Sequence, residues 1–145
     1  MRVTKLVVEE GVRLYFSSGC KFEMGKGTTG SQAIAEIKGT EANPVLITSE
    51  GINEKWQGMI SHYDIKLDHC IIENAVKGIK LVIDYYTGKV FLNNCRISHC
   101  DIATTGGDGE STSYMLNNCI IDRCILADMR AGNIAYCTIY YDGIN

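Results

Sequence analysis

The feature that most constrains this chain is a short motif that recurs along it. The segments LDHCIIENA, LNNCRISHC, LNNCIIDRC and IAYCTIYYD begin at Leu67, Leu92, Leu116 and Ile134. The leading apolar residue therefore advances by 25 positions (67 to 92), then 24 (92 to 116), then 18 (116 to 134), and a cysteine follows it three residues later each time. Recurrence of residue type at a nearly fixed step indicates stacked structural repeats.

Around these motifs the sequence predicts short β-strands rather than helices. No long segment keeps the i, i+3, i+4, i+7 apolar spacing of a helix, and strands of about three to six residues alternate with turns such as SSG, GKGTTGS and YYTGK. A step near 24 residues is too short for a four-stranded propeller blade and lacks the helix of a leucine-rich repeat. It fits one coil of a parallel β-helix, and the chain has room for about six coils.

The middle of the motif predicts a bend. Equivalent positions of successive coils stack about 4.8 Å apart, so an inward position must be apolar in every coil. Leu92 and Cys95 are three residues apart, so the chain must turn at Asn93 and Asn94 for both to face inward. Asparagine tolerates the left-handed conformation, and stacked amides can form a hydrogen-bonded ladder. We expect a partial ladder and two inward stacks: Leu67, Leu92, Leu116 and Ile134, and Ile72, Ile97, Ile121 and Ile139.

The LxNCxI pattern resembles the turns and strands of right-handed parallel β-helix proteins of the pectate-lyase-like superfamily. The run LVVEEGVRLYFSSGCKFEMG, AIAEIKGTEANPVLITSEG and WQGMI is similar to the opening of bacterial cell-surface β-helix domains. The resemblance covers nearly the whole chain. It implies one all-β domain over residues 1–145, a right-handed parallel β-helix, with a fragment of a longer solenoid as the alternative. It also suggests an extracellular or cell-surface location, but the amino terminus has no apolar run of signal-peptide length, so the compartment stays open.

Composition limits the classes of partner. The chain has 145 residues, 46% of them apolar, a formal charge of -3 and a pI near 5.6. A nucleic-acid partner is not expected, because phosphate neutralisation needs a basic face. Membrane insertion is not expected either, because no run of consecutive apolar residues is long enough to cross a bilayer.

The cysteines permit more than one chemistry. Cys95, His99 and Cys100 have two ligand types of a zinc site, but the repeat places Asn74 and Arg123 at positions equivalent to His99. Packing of cysteines as small apolar residues is therefore favoured over metal binding, and His99 is expected to point to solvent. Disulfides between stacked coils are disfavoured because parallel Cβ vectors hold the Cβ atoms too far apart. We expect seven free thiols.

Candidate ligand-binding residues lie mostly in the predicted loops. Aromatic rings can stack on sugars, and the resemblance implies that loop carboxylates could hold Ca²⁺ in a lyase or act as acid and base in a hydrolase. The residues concerned are Asp84, Tyr85, Tyr86, Asp108, Glu110 and Trp56. For Trp56, packing at the edge of the core is the competing interpretation, and for the acidic residues, solvated loop charge. The enzymes of the resembled superfamily cluster several charged residues on one strand face, whereas the outward positions here are predicted to be Lys80, Ala103 and Ala127.

The leading functional hypothesis is therefore a non-catalytic structural or adhesive module that binds polysaccharide on an exposed face, without cofactor or metal. The resemblance leaves open a polysaccharide lyase, which would require Ca²⁺, or a glycoside hydrolase. A third hypothesis is self-association through uncapped ends, because strand sequence extends from about Val3 nearly to Ile144 without an amphipathic capping helix.

Overall fold

The computed structural model describes residues 4–24, 33–51, 53–82, 89–106, 113–124 and 131–140. Within these ranges the protein is all-β, with 16 strands in three parallel sheets. No helix in the described ranges is long and apolar enough to cross a membrane.

The strands belong to three sheets, which we name A, B and C. Sheet A contains β1 (Thr4–Val8), β4 (Ala33–Lys38), β7 (Ile65–Asp68), β10 (Lys89–Asn93), β13 (Ser113–Asn117) and β15 (Ala131–Ala135). Sheet B contains β2 (Arg13–Phe16), β5 (Val45–Ser49), β8 (Cys70–Glu73), β11 (Arg96–Ser98), β14 (Ile120–Asp122) and β16 (Thr138–Tyr140). Sheet C contains β3 (Lys21–Met24), β6 (Trp56–Ser61), β9 (Ala75–Leu81) and β12 (Ile102–Thr105).

The chain visits these sheets in turn, and each strand pairs in parallel with its equivalent one repeat later. In sheet A, for example, β7 lies between β4 and β10, and in sheet B, β8 lies between β5 and β11. The six strands in each of sheets A and B agree with the expected number of about six repeats. This topology is compatible with a parallel β-helix.

The two inward stacks expected from the motif are confirmed by the strand register. In sheet A, Leu92 pairs with Leu67 on one side and with Leu116 on the other. In sheet B, Ile97 pairs with Ile72 and Ile121 in the same way. These six side chains are buried and form the centre of the core, whereas Ile134 and Ile139 keep the register of the two stacks but are 43% and 39% exposed, so the expectation that they are buried is wrong.

The predicted bend lies at the second residue of each polar pair. Asn94 and Asn118 have φ values of 52° and 51°, and His69 and Tyr136 occupy the same left-handed region in the flanking repeats. Asn118 Nδ2 donates to Asn94 Oδ1 at 2.8 Å, and Asn94 Nδ2 donates to Asp68 Oδ1 at 3.0 Å. The asparagine ladder is therefore confirmed, with a carboxylate at its first position.

A second bend separates sheet B from sheet C, and it corrects the expectation for His99. Asn74, His99 and Arg123 have φ values of 57°, 54° and 52°, so the three equivalent positions all turn through the left-handed region. The His99 side chain is only half-buried, and its Nε2 lies 2.8 Å from Arg123 Nη1. His99 is thus part of the repeat, and its ring binds the neighbouring repeat instead of pointing freely to solvent.

Candidate functional site

Most of the predicted ligand-binding residues lie outside the described residues. Asp84, Tyr85, Tyr86, Asp108 and Glu110 fall in the ranges 83–88 and 107–112 and stay predictions.

Trp56 is described, and it lies in the core. Its side chain is 0% exposed, its ring stacks on Phe16 with centroids 4.6 Å apart, and Nε1 donates to the Glu73 carbonyl oxygen at 3.0 Å. The ring is buried and its one polar atom is hydrogen-bonded, which agrees with core packing, the interpretation that competes with ligand binding for this residue. Ala103, which the sequence placed on the outer surface, is also fully buried, because its strand β12 turns that position inward.

The thiols at Cys95 and Cys100 donate hydrogen bonds to nearby backbone carbonyl oxygens. Cys95 Sγ donates to the Asn93 carbonyl oxygen at 3.1 Å, and Cys100 Sγ donates to the Ser98 carbonyl oxygen at 3.4 Å. Within the described ranges, no three His, Cys, Asp or Glu side chains converge to hold a metal ion. All seven cysteines are unpaired, and Cys20 is the exposed one.

The described surface contains an open groove of about 900 Å³ on the outer face of sheet A. Strand alternation produces this face: Leu67 and Leu92 point into the core, so Lys66 and Phe91, one residue before each, point outward. Parallel pairing aligns these outward residues in one column, with Glu36 beside Lys66 and Lys66 beside Phe91. Val7, paired with Glu36, continues the column into β1.

This outer column, Val7–Glu36–Lys66–Phe91, runs across four adjacent strands. Three strand spacings correspond to about 14 Å, the length of a short oligomeric ligand lying across the strands. Phe91 is half-buried and Val7 is 50% exposed, so apolar surface is available at both ends of the column. The Lys66 ammonium lies 6.0 Å from the centroid of the Phe91 ring, at the outer limit of a cation–π contact.

A second column of polar residues lies beside the first. Lys38 pairs in register with Asp68, and Asp68 pairs with Asn93. The Asp68 carboxylate accepts a hydrogen bond from Asn94 and lies 2.9 Å from His69 Nδ1, so its position is fixed by the bend. Asn93 is exposed at the edge of the groove, where its amide can donate and accept hydrogen bonds.

The electrostatic balance of the groove is negative. Its lining contains more carboxylates than ammonium groups, contributed by Glu9, Glu10, Glu36 and Asp68 and by Lys38 and Lys66 respectively. Such a surface repels polyanions and supplies hydrogen-bond acceptors to hydroxyl groups.

No protein-family model, curated protein or solved structure matches this chain. The groove and the outer faces of the sheets must therefore be interpreted from their own chemistry.

The outer face of sheet B holds charged residues that the sequence interpretation missed. Ser98 pairs in register with Glu73 on one side and with Asp122 on the other, so the two carboxylates are two strand spacings apart, about 9.6 Å between backbones. The signal that could have found them is the repeat itself, because positions 73, 98 and 122 advance by the same steps of 25 and 24.

Asp122 is already engaged in an ion-pair network. Arg96 Nη2 lies 2.8 Å from Asp122 Oδ2, and Arg123 Nε lies 3.8 Å from Asp122 Oδ1 while its Nη1 contacts His99. The two guanidinium groups hold the Asp122 carboxylate in place. Ser98 Oγ is buried and has no hydrogen-bond partner among the described residues.

Proposed function

We propose that this chain is a right-handed parallel β-helix of the pectate-lyase-like type that binds a neutral polysaccharide without cleaving it. The observation that carries the proposal is the outer column of sheet A, where Phe91 stands at one end of a groove lined by hydrogen-bonding side chains. A sugar ring could stack on Phe91 with its hydroxyl groups bound by Asn93, and a following sugar of the same chain could bind Glu36, two strand spacings away.

The charge of the groove supports a neutral ligand over a polyuronate. The lining of the groove contains four carboxylates and two ammonium groups. This excess of negative charge would repel the carboxylates of a polyuronate chain. Neutral hydroxyl groups, by contrast, can donate to the carboxylates and accept from Lys38 and Lys66.

Binding can be tested by screening the protein on a glycan array and measuring the best ligand by calorimetry. Phe91→Ala should weaken binding by about 1 kcal/mol, roughly fivefold in Kd, because the stacking surface is lost. Tyr15→Ala is the matched control, since Tyr15 is an aromatic residue 54% exposed on the outer face of sheet B, away from the groove. Equal loss in both variants, or a preference for polyuronates, would contradict the proposal.

A catalytic alternative rests on Glu73 and Asp122. Their backbones are two strand spacings apart, about 9.6 Å, so the two side chains could bring their carboxyl groups to the roughly 6.5–9.5 Å that inverting glycosidases use. Incubation with neutral polysaccharides and polyuronates, with and without Ca²⁺, distinguishes the two functions: a binding module produces neither reducing ends nor unsaturated products. Turnover that is abolished by Glu73→Gln or Asp122→Asn would establish the enzyme instead.

A further inference from the structure

The outer column of sheet A continues beyond the groove into two further repeats. Phe91 pairs in register with Met115, and Met115 pairs with Asn133. Met115 directly precedes the buried Leu116, so strand alternation turns it outward, and it is half-buried like Phe91. From Val7 to Asn133 the continued column crosses all six strands of sheet A, a length of about 24 Å.

An apolar side chain and an exposed amide occur as a pair in two neighbouring strands. In β10 the pair is Phe91 and Asn93, and in β13 it is Met115 and Asn117. The register places Asn93 beside Asn117, so the second pair repeats the first one strand spacing away, about 4.8 Å. Each amide can both donate and accept hydrogen bonds. A surface that repeats in this way suits a polymer whose unit repeats over the same distance.

Longer connections between sheets A and B line the groove in the first two repeats. Residues 9–12 and 39–44 form these connections, and Gly11 N donates to the Asn43 carbonyl oxygen at 3.1 Å, which joins the two loops. Both loops contribute to the lining of the groove. Between β10 and β11, by contrast, the connection is only residues 94–95. A ligand is therefore held from one side in the first two repeats, with its long axis along the column.

We propose that this surface binds a straight, β-1,4-linked chain of neutral sugars, with about one sugar on each strand of sheet A. In glucose, mannose and xylose chains of this linkage, both links leave the ring equatorially from opposite ends. The chain is therefore straight, and each sugar advances it by a length close to the strand spacing of about 4.8 Å. An α-1,4 link leaves the ring axially and bends the chain away from a straight row of side chains.

The inference rests on the proposed function and names the kind of chain that the same groove takes. The C–H groups on the faces of successive sugars pack on Phe91 and Met115. Hydroxyl groups at the ring edges bind the amides of Asn93 and Asn117. Each sugar added to the chain extends these contacts to one more strand.

The test is calorimetry with oligosaccharides from disaccharide to hexasaccharide, in β-1,4-linked glucose, mannose and xylose series and in an α-1,4-linked glucose series. In the tightest β-linked series, Kd should fall roughly threefold with each added sugar, because each one gains a further contact with the sheet. The α-linked hexasaccharide should bind at least about tenfold more weakly than the β-linked one.

Variants in β13 test the continuation of the site. Met115→Ala should weaken binding of the β-linked hexasaccharide roughly threefold, because one contact with a sugar face is lost. Asn117→Ala should weaken it by a similar factor while leaving the apolar surface intact. Ile120→Ala is the matched control: Ile120 is 43% exposed on the outer face of sheet B, and its truncation should leave Kd unchanged. Urea unfolding checks that each variant keeps the fold.

The results separate this inference from the proposed function. Equal Kd values for disaccharide and hexasaccharide, or for the two linkages, overturn the inference, and so do equal effects of Met115→Ala and Ile120→Ala. If Phe91→Ala still weakens binding in that case, the proposed function stands without the inference. A protein that binds no neutral glycan overturns both.

Discussion

Gly58 is the position at which a single methyl group should damage this fold most clearly. It lies in β6, where the pairing with β9 shifts register between Gly58 and Met59, and its φ is +104°. A Cβ atom placed on Gly58 would overlap the carbonyl oxygen of Lys77 and lie 2.7 Å from the Lys77 carbonyl carbon. Both neighbours are backbone atoms of an adjacent strand, so they cannot move aside as a flexible side chain would.

The expected cost of Gly58→Ala has two parts. Holding alanine at a strongly positive φ costs about 1–2 kcal/mol. Relieving the overlap requires β6 and β9 to separate locally, which costs a further 2–3 kcal/mol or so through lost hydrogen bonds and packing. The sum, about 3–5 kcal/mol, is a large fraction of the roughly 5–15 kcal/mol that stabilises a typical domain.

Gly19→Ala supplies the matched control. Gly19 also has a positive φ, +79°, but no atom of the described residues, apart from its chain neighbours, lies within 4 Å of the point that an added Cβ would occupy, so only the conformational part of the cost applies. Equilibrium urea unfolding should therefore give a loss of about 1–2 kcal/mol for Gly19→Ala and about 3–5 kcal/mol for Gly58→Ala. If the two variants lose equal free energy of unfolding, the close approach of β6 to Lys77 is refuted.

Two further predictions concern the bends and the buried thiols. Asn94→Ala should lower the free energy of unfolding by about 1–3 kcal/mol, because it removes the ladder hydrogen bonds to Asp68 and Asn118 and replaces a residue that tolerates the left-handed conformation. Asn94→Gly keeps the left-handed conformation accessible, so its loss of stability measures the ladder hydrogen bonds alone. No loss of stability in either variant would contradict the role of the ladder. A hydrogen bond with Cys95, together with burial, raises the pKa of Cys119, so the unfolded thiol ionises first. Its stabilising contribution is complete below the unfolded pKa of about 8.5 and declines by up to about 1.4 kcal/mol per pH unit above it. Urea unfolding at pH 7 and pH 9.5 should therefore show a smaller decline for Cys119→Ala than for the wild type, and identical declines would count against a raised pKa.

The inward half of the structure could be predicted from the sequence because the repeat constrains it. A buried position such as Leu92 has one acceptable chemistry, so its type recurs in every copy of the motif and the stack becomes visible in the letters. The bend at Asn94 was predictable for the same reason, since few residue types tolerate its backbone conformation. Ala103 in β12 (Ile102–Thr105) was assigned to the wrong face, because Ala103 and Thr104 are both buried and a small residue such as alanine carries no strong signal for either face.

The outward half could not be predicted in the same way, because solvent accepts many residue types and leaves no periodic signal. Val7, Glu36, Lys66 and Phe91 share no motif, yet the register aligns them in one column. That register depends on the inward stack one residue away, where Val8, Ile37, Leu67 and Leu92 are buried. A one-residue slip in any strand would turn its apolar residue out and its groove residue in. The same apolar pattern that stabilises the core therefore also aligns the residues of the groove, and substitutions in the groove can change its surface chemistry without altering the register that holds it.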